Sequence, residues 1–312
     1  MRTQKEDIDF KCLCCDNKIY KYYKEIKSYM PIVPKGLTRS NNVYVQLIKC
    51  SNCGLIHDKK TFLDYDYLSL YTDKNIYSSK DYSIENIKSK YSVDVVDLIS
   101  KYFIGKDKVL EIGFCTPELM MRVKKLTPHI FGLELDPEAV KKAKQKNIDA
   151  RFGTIKEVFK EETFNLIYSI ALFEHIENPN FFIRDLDSKL SPQGKIIIQL
   201  PNPNSLNAII SALFSKNSWD MFTEPGHVAH YEKKHLDMFF DKFNYNRKCY
   251  KTSTILVRGK LPFIPGGPLK MEKLIMNLSN NIFFFRLYKI LIKFLDFLKV
   301  GDTQILVYEK SL

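Results

Sequence analysis

Short apolar runs alternate with amphipathic stretches through the middle of the chain. Lys108–Ile112, Ile130–Leu135, Phe164–Ser169 and Lys195–Leu200 read as strands, with a shorter one at Ala150–Phe152. Helical spacing follows near Pro117–Leu126, Pro137–Lys146 and Pro179–Leu190, and Pro117 and Pro137 suit first helical turns. Ser191-Pro192-Gln193-Gly194 reads as a turn before the last strand. Strands alternating with helices predict an α/β fold: a doubly wound, Rossmann-like parallel sheet with helices on both faces.

The flanks follow other patterns. Residues 1–65 read as an irregular small module, and 66–106 as a helical connector with tyrosines at 67, 71, 77, 82 and 91. Within the connector, Ser92–Tyr102 spaces Val95, Val96, Leu98 and Ile99 as an amphipathic helix. The remaining domain spans 107–312. It ends in two further strands, Thr252–Val257 and Thr303–Tyr308, with the terminal one antiparallel. Between them, Ile282–Val300 is an apolar helix whose charges (Arg286, Lys289, Lys293, Asp296, Lys299) form one polar stripe. That stripe predicts a helix packed on the domain with one wet edge. The alternative is an interfacial helix on a membrane or along an acyl chain.

Composition narrows the class. The 312 residues carry a formal charge of +12, which favours anionic partners such as sugar nucleotides, lipid phosphates or nucleic acid. The lysines are spread rather than blocked, which fits general residue usage as well. No apolar run reaches the roughly 20 residues needed to cross a bilayer. No secretory core is visible in residues 1–20, so a cytoplasmic protein is expected, with peripheral contact to the inner membrane face as the variant. In that compartment the seven cysteines are thiols or metal ligands rather than disulfides.

Two motifs carry chemistry. Cys12-x2-Cys15 and Cys50-x2-Cys53-Gly54 are paired knuckles with the spacing of a closed four-thiolate zinc site, structural rather than catalytic. Cys14 is an extra thiol within the first knuckle. The second motif pairs Val109-Leu110-Glu111-Ile112-Gly113 with Phe131-Gly132-Leu133-Glu134-Leu135-Asp136. Parallel strands would bring both carboxylates to one sheet edge, where a strand-tip acid accepts hydrogen bonds from a ribose diol.

From about residue 70 onward the chain resembles the class I S-adenosylmethionine-dependent methyltransferases. Glu111-Ile112-Gly113 looks like the opening of that family's first motif, though Cys115 and Pro117 stand where further glycines are usual. Ala171-Leu172-Phe173-Glu174-His175-Ile176-Glu177-Asn178-Pro179 closely resembles its segment after the fourth strand. By that resemblance the cofactor would meet Glu111, Gly113, Phe114, Glu134 (ribose), Leu135 (adenine face), Thr154 and Ile155 (adenine edge) and Ser169. The knuckles and Gly226-His227-Val228-Ala229-His230-Tyr231 resemble zinc-ribbon-bearing methyltransferases of sugar and polysaccharide pathways. This implies His175, His227, Glu174 and His230 at the acceptor, with a neutral imidazole as general base.

The acceptor implied is a small molecule, a sugar nucleotide or a lipid-linked sugar. Two readings compete: a degenerate domain that binds a nucleoside or partner without turnover, and an RNA methyltransferase. Against RNA, the cysteine module lacks dense arginine and interleaved aromatics. The metal-dependent RNA 2′-O-methyltransferase pattern also lacks one ligand, since Ala171 stands in its place.

Overall fold

The computed structural model describes residues 8–27, 44–62, 95–102, 105–209, 226–254 and 282–311. In chain order the strands are β1 (Tyr20–Lys27), β2 (Tyr44–Cys50), β3 (Ile56–Asp58), β4 (Val109–Ile112), β5 (Ile130–Glu134) and β6 (Asp149–Phe152). They continue with β7 (Phe164–Ile170), β8 (Leu190–Pro201), β9 (Ala229–His230), β10 (Tyr245–Ser253) and β11 (Thr303–Lys310). The helices are α1 (Glu118–Val123), α2 (Pro137–Gln145), α3 (Ile155–Val158), α4 (Pro179–Lys189), α5 (Lys233–Asp241) and α6 (Ile282–Phe297).

Seven strands form the main sheet in the order β10-β11-β8-β7-β4-β5-β6. β4 to β8 are parallel, β11 is antiparallel to β8, and β10 is antiparallel to β11. The strand order reverses between β4 and β7. The crevice outside their carboxyl ends is therefore the switch point where open α/β sheets bind ligands.

Both faces of the sheet are covered, which accounts for the near-continuous apolar runs. Along β8, Ile196, Ile198 and Leu200 face one layer and Ile197 the other; along β11, Leu306 and Tyr308 oppose Ile305 and Val307. Helical residues 95–102, α1 and α2 pack on one face through Val95, Leu98, Ile99, Met120 and Ala143. On the other lie α3, α4 and α5, through Ile155, Ile183, Leu186, Leu236 and Phe240.

Several expectations are corrected. The described part of residues 1–65 is not irregular: β1, β2 and β3 form an antiparallel sheet whose fourth strand is β9, from far along the chain. β1 carries little apolar signal because Ile26 is buried while Tyr22 and Tyr23 are exposed. The strand expected at Thr252–Val257 begins earlier, at Tyr245; it is an edge strand carrying Arg247 and Lys248, and charge on an edge blunts the apolar signal. Residues 255–257 lie outside those described, as does most of the expected connector.

Ser191–Gly194 does turn, but inside β8. Phe164 pairs with Leu190 and Leu166 with Lys195, so the four intervening residues bulge against Asn165, with Gln193 at φ +61°. α6 matches the expected wet edge only in part: Lys293 and Lys299 of the stripe are exposed. Its Asp296 faces the domain, accepting from the Thr254 hydroxyl at 2.8 Å, while apolar residues face outward.

Gly132 of β5 lies beside Glu111 of β4, and a Cβ there would sit 2.8 Å from Met120 Sδ and 2.9 Å from Phe114 Cε1. Gly132→Ala should therefore lower stability by about 1–3 kcal/mol through overpacking, read as a drop in urea midpoint at unchanged slope.

Candidate functional site

The turn after β4 is held in an uncommon backbone conformation. Gly113 has φ +68°, and a Cβ there would meet Leu172 Cδ1 at 3.0 Å, so glycine is required both for conformation and for close packing. Cys115, where a glycine was expected, also adopts positive φ (+54°). Its N–H donates to Glu134 Oε2 at 2.7 Å, and that charge-assisted bond holds the strained residue in place. Ala171, at the tip of β7, has φ +48°. Left-handed residues thus mark both strand ends that border the switch point.

Glu134, half-buried at the tip of β5, also accepts from Leu135 N–H at 2.7 Å. A carboxylate offers about four lone-pair sites, so two backbone bonds leave capacity for a diol. Leu135 is exposed beside it, Ile155 is buried, and Ser169 is buried opposite Ile112 at the switch point.

Three of the expected contact residues are engaged within the fold. Glu111 is not at the edge with Glu134: it pairs with Gly132 inside the sheet, is 1% exposed, and accepts from Tyr168 Oη at 2.7 Å. Burial, then the charge of Glu111, push the Tyr168 hydroxyl pKa well up, so it stays a donor. Phe114 turns its ring into the core against Met120 rather than into the crevice. The Thr154 hydroxyl donates to Glu157 within the capping box of α3. Leu172 and Tyr168 carried no signal of their own in the sequence; only the strand register reveals them.

Histidines gather beyond β7. Glu174 and His175 end a short 3-10 turn, and His227 reaches them from the segment before β9. Ligand atoms of Glu174, His175 and His227 all lie within 4.8 Å of one another. His227 Nε2 is 4.0 Å from Glu174 Oε1, and the His175 and His227 rings are 4.7 Å apart. His175 Nδ1 is 2.8 Å from the Gly226 carbonyl, which can only accept, so Nδ1 carries a proton and the neutral ring has its lone pair on Nε2. His175 is the half-exposed member; Glu174 and His227 are each 2% exposed. His230 lies behind, its ring edge-on to His227 at 5.8 Å, with its pKa pushed well down, first by burial and then by the neighbouring histidines.

A family model for a methyltransferase domain matches residues 84–248, more than half of the chain. The chain belongs to this methyltransferase family. A ubiquinone biosynthesis O-methyltransferase of Bradyrhizobium diazoefficiens is 22% identical over 144 residues, 41% of this chain and 57% of that protein, so the chain spans little more than half the relative's length. Among solved structures, the plantazolicin methyltransferase BpumL with a triazolic desmethylPZN analog and SAH superposes at TM-score 0.51, with 19% identity over 79% of this chain and 95% of that one. A chain from the complex of the Haloferax volcanii Trm112 methyltransferase activator and a methyltransferase gives 0.51, at 10% identity over 73% and 92%. At these identities the structures establish the fold.

The cysteine module is built onto the methyltransferase domain rather than tethered to it. Cys12 Sγ lies 3.6 Å from Cys53 Sγ, and Cys15 Sγ 3.6 Å from Cys50 Sγ. That is far beyond a disulfide, and close to the roughly 3.8 Å between sulfurs on a tetrahedral ion with bonds of about 2.3 Å. Cys14 turns away toward the His235 carbonyl and Met238 of α5. His235 Nδ1 accepts from Glu232 N–H while Nε2 donates to the Cys53 carbonyl at 3.1 Å, joining a helix cap to the second knuckle. Sequence inspection missed this because capping boxes usually end in Glu or Gln. β3 pairs with β9, and Val228 bridges both parts: its N–H donates to the Glu174 carbonyl, and its own carbonyl accepts from Asp58 N–H.

At this seam His57 is fully buried, and burial lowers its pKa to about 3. An unfolded histidine takes up its proton near pH 6.5, so between those values the unfolded chain binds more protons. This contribution is complete above about pH 6.5 and is lost as pH falls toward 3. Stability should fall by about 1.4 kcal/mol per pH unit from His57 within that window. His57→Gln should flatten the slope of urea midpoint against pH, whatever its effect at neutral pH.

Proposed function

We propose that the chain transfers a methyl group from S-adenosylmethionine to a small-molecule acceptor, at the crevice bordered by the ends of β4, β5 and β7. The observation that carries this reading is Glu134: a strand-tip carboxylate bonded to left-handed Cys115, with spare acceptor capacity and an exposed apolar neighbour in Leu135. Thr116 Oγ1, in the adjoining turn, and Glu118 Oε2, at the start of α1, are buried polar atoms with no partner among the described residues, which supports a polar ligand there.

Glu134 would hold the ribose, Leu135 and Ile155 the base, and the Gly113 turn the amino-acid portion. When bound, S-adenosylmethionine supplies a methyl group already activated for displacement. Positioning then provides much of the rate. His175 Nε2 takes the acceptor's proton, and the Gly226 carbonyl fixes the tautomer that makes this atom basic. Glu174 and His227 sit behind His175 and set its surroundings. The cysteine cluster would hold one structural zinc, with no open position for chemistry.

For the acceptor we favour a sugar or polysaccharide precursor, carried on a nucleotide or a lipid. Support comes from the pairing of knuckles with the histidine segment and from the +12 charge, which suits a phosphate-bearing substrate. The ubiquinone and plantazolicin enzymes keep other small-molecule or peptide acceptors within the proposal. A binding protein without turnover is the second reading, favoured by Thr154, whose hydroxyl is engaged in its own helix cap.

Calorimetry should show S-adenosylmethionine binding, weakened about tenfold or more by Glu134→Ala, as loss of charge-assisted hydrogen bonds costs about 1.5–3 kcal/mol. No binding by the unaltered chain at millimolar ligand would reject the enzyme reading. His175→Ala should retain cofactor binding while methyl transfer to a sugar acceptor falls about 10²–10⁴-fold. Binding without transfer to any acceptor class would favour the second reading. Elemental analysis should find one zinc per chain, absent from Cys50→Ser, and chelation should lower the melting temperature.

A further inference from the structure

The outward face of α6 is apolar. Leu287, Ile290, Leu291, Phe294, Phe297 and Leu298 recur at helical spacing and are 45–75% exposed, whereas Ile292 and Leu295 on the opposite face are buried. A surface helix ordinarily shows the reverse. The helix carries a single carboxylate, Asp296, and it is turned inward: its side chain accepts from the Thr254 hydroxyl, and its carbonyl accepts from the Thr252 hydroxyl. The cations are arranged differently. Lys293 and, just past the helix, Lys299 are exposed, and the sequence adds Arg286 and Lys289 within the same helix. The outer side therefore combines large apolar groups with positive charge and no exposed carboxylate.

We propose that α6 seats the protein on an anionic lipid surface, its apolar face entering the headgroup boundary and its lysines meeting lipid phosphates. The charges decide between occupants. A second copy of this chain would bring like cations together, whereas an anionic bilayer matches both the apolar face and the positive charge. Lysine stems also cover apolar surface while keeping the ammonium in water, as this boundary requires. No described helix is long and apolar enough to cross a membrane, so the contact is lateral. This inference rests on α6 alone and not on the proposed acceptor.

Co-sedimentation of the full chain with phosphatidylglycerol-containing vesicles, against phosphatidylcholine vesicles, tests it. The chain should pellet with the anionic vesicles at least about tenfold more, and the excess should fall as salt screens the charges. The double variant Ile290→Glu, Phe294→Glu alters exposed positions only; it should keep its circular dichroism and melting temperature and lose the vesicle binding. Absence of binding, equal binding to neutral vesicles, or binding that survives the double substitution would overturn the proposal. So would a dimer in sedimentation velocity that the same substitutions dissolve.

Discussion

Strand β9 is where the two halves of the molecule are joined. It is only two residues long, yet it completes the cysteine-bearing sheet by pairing with β3, and the preceding Val228 N–H is held by the Glu174 carbonyl. His227 and His230 lie on this short segment, so their positions depend on both sheets at once. His235 adds a second tie from α5 to the Cys53 carbonyl. Five of the six histidines (57, 175, 227, 230 and 235) lie along this seam. The cysteine-bearing sheet is thereby connected, through β9 and Val228, to the segment that holds Glu174 and His175.

A second constraint operates at the β4 turn. Methyltransferase domains usually bring backbone close to their cofactor with several glycines, and this chain keeps only Gly113 there. Cys115 reaches the same left-handed region because Glu134 holds its N–H. One carboxylate thus both supports the turn and stands at the tip of β5. Its buried counterpart, Glu111, instead ties β4 to β7 through Tyr168 and serves the sheet rather than the crevice.

The central α/β pattern was legible because its inner strands β4, β7 and β8 are largely buried on both faces and flanked by strong turn or helix signals. The knuckles were equally plain, since two thiols three positions apart, repeated once, match the bite of a tight turn on a tetrahedral ion. What stayed hidden was long-range or set against local appearance. β1 and β10 are polar edge strands, so apolar periodicity could not reveal them. The turn-like Ser191–Gly194 became a bulge because β8 continues past it to pair with β7. Glu111 looked like an edge residue until register placed it opposite Gly132. The wet stripe of α6 was legible, with Lys293 and Lys299 exposed, but the inward turn of Asp296 and the exposed apolar face were not, because periodicity shows which residues share a face and not what covers it.

The strand order also bears on how the chain matures. β3 must wait for β9, about 170 residues later, before its outer edge is covered, and β8 stays unpaired on one side until β11, about 100 residues further along. On a ribosome both sheets would emerge with open edges until those partners follow, the condition under which non-local β pairing is slow and prone to aggregation. Cys12, Cys15, Cys50 and Cys53, by contrast, lie within about 40 residues of one another, so the sheet formed by β1 to β3 can gather its thiols before β9 exists.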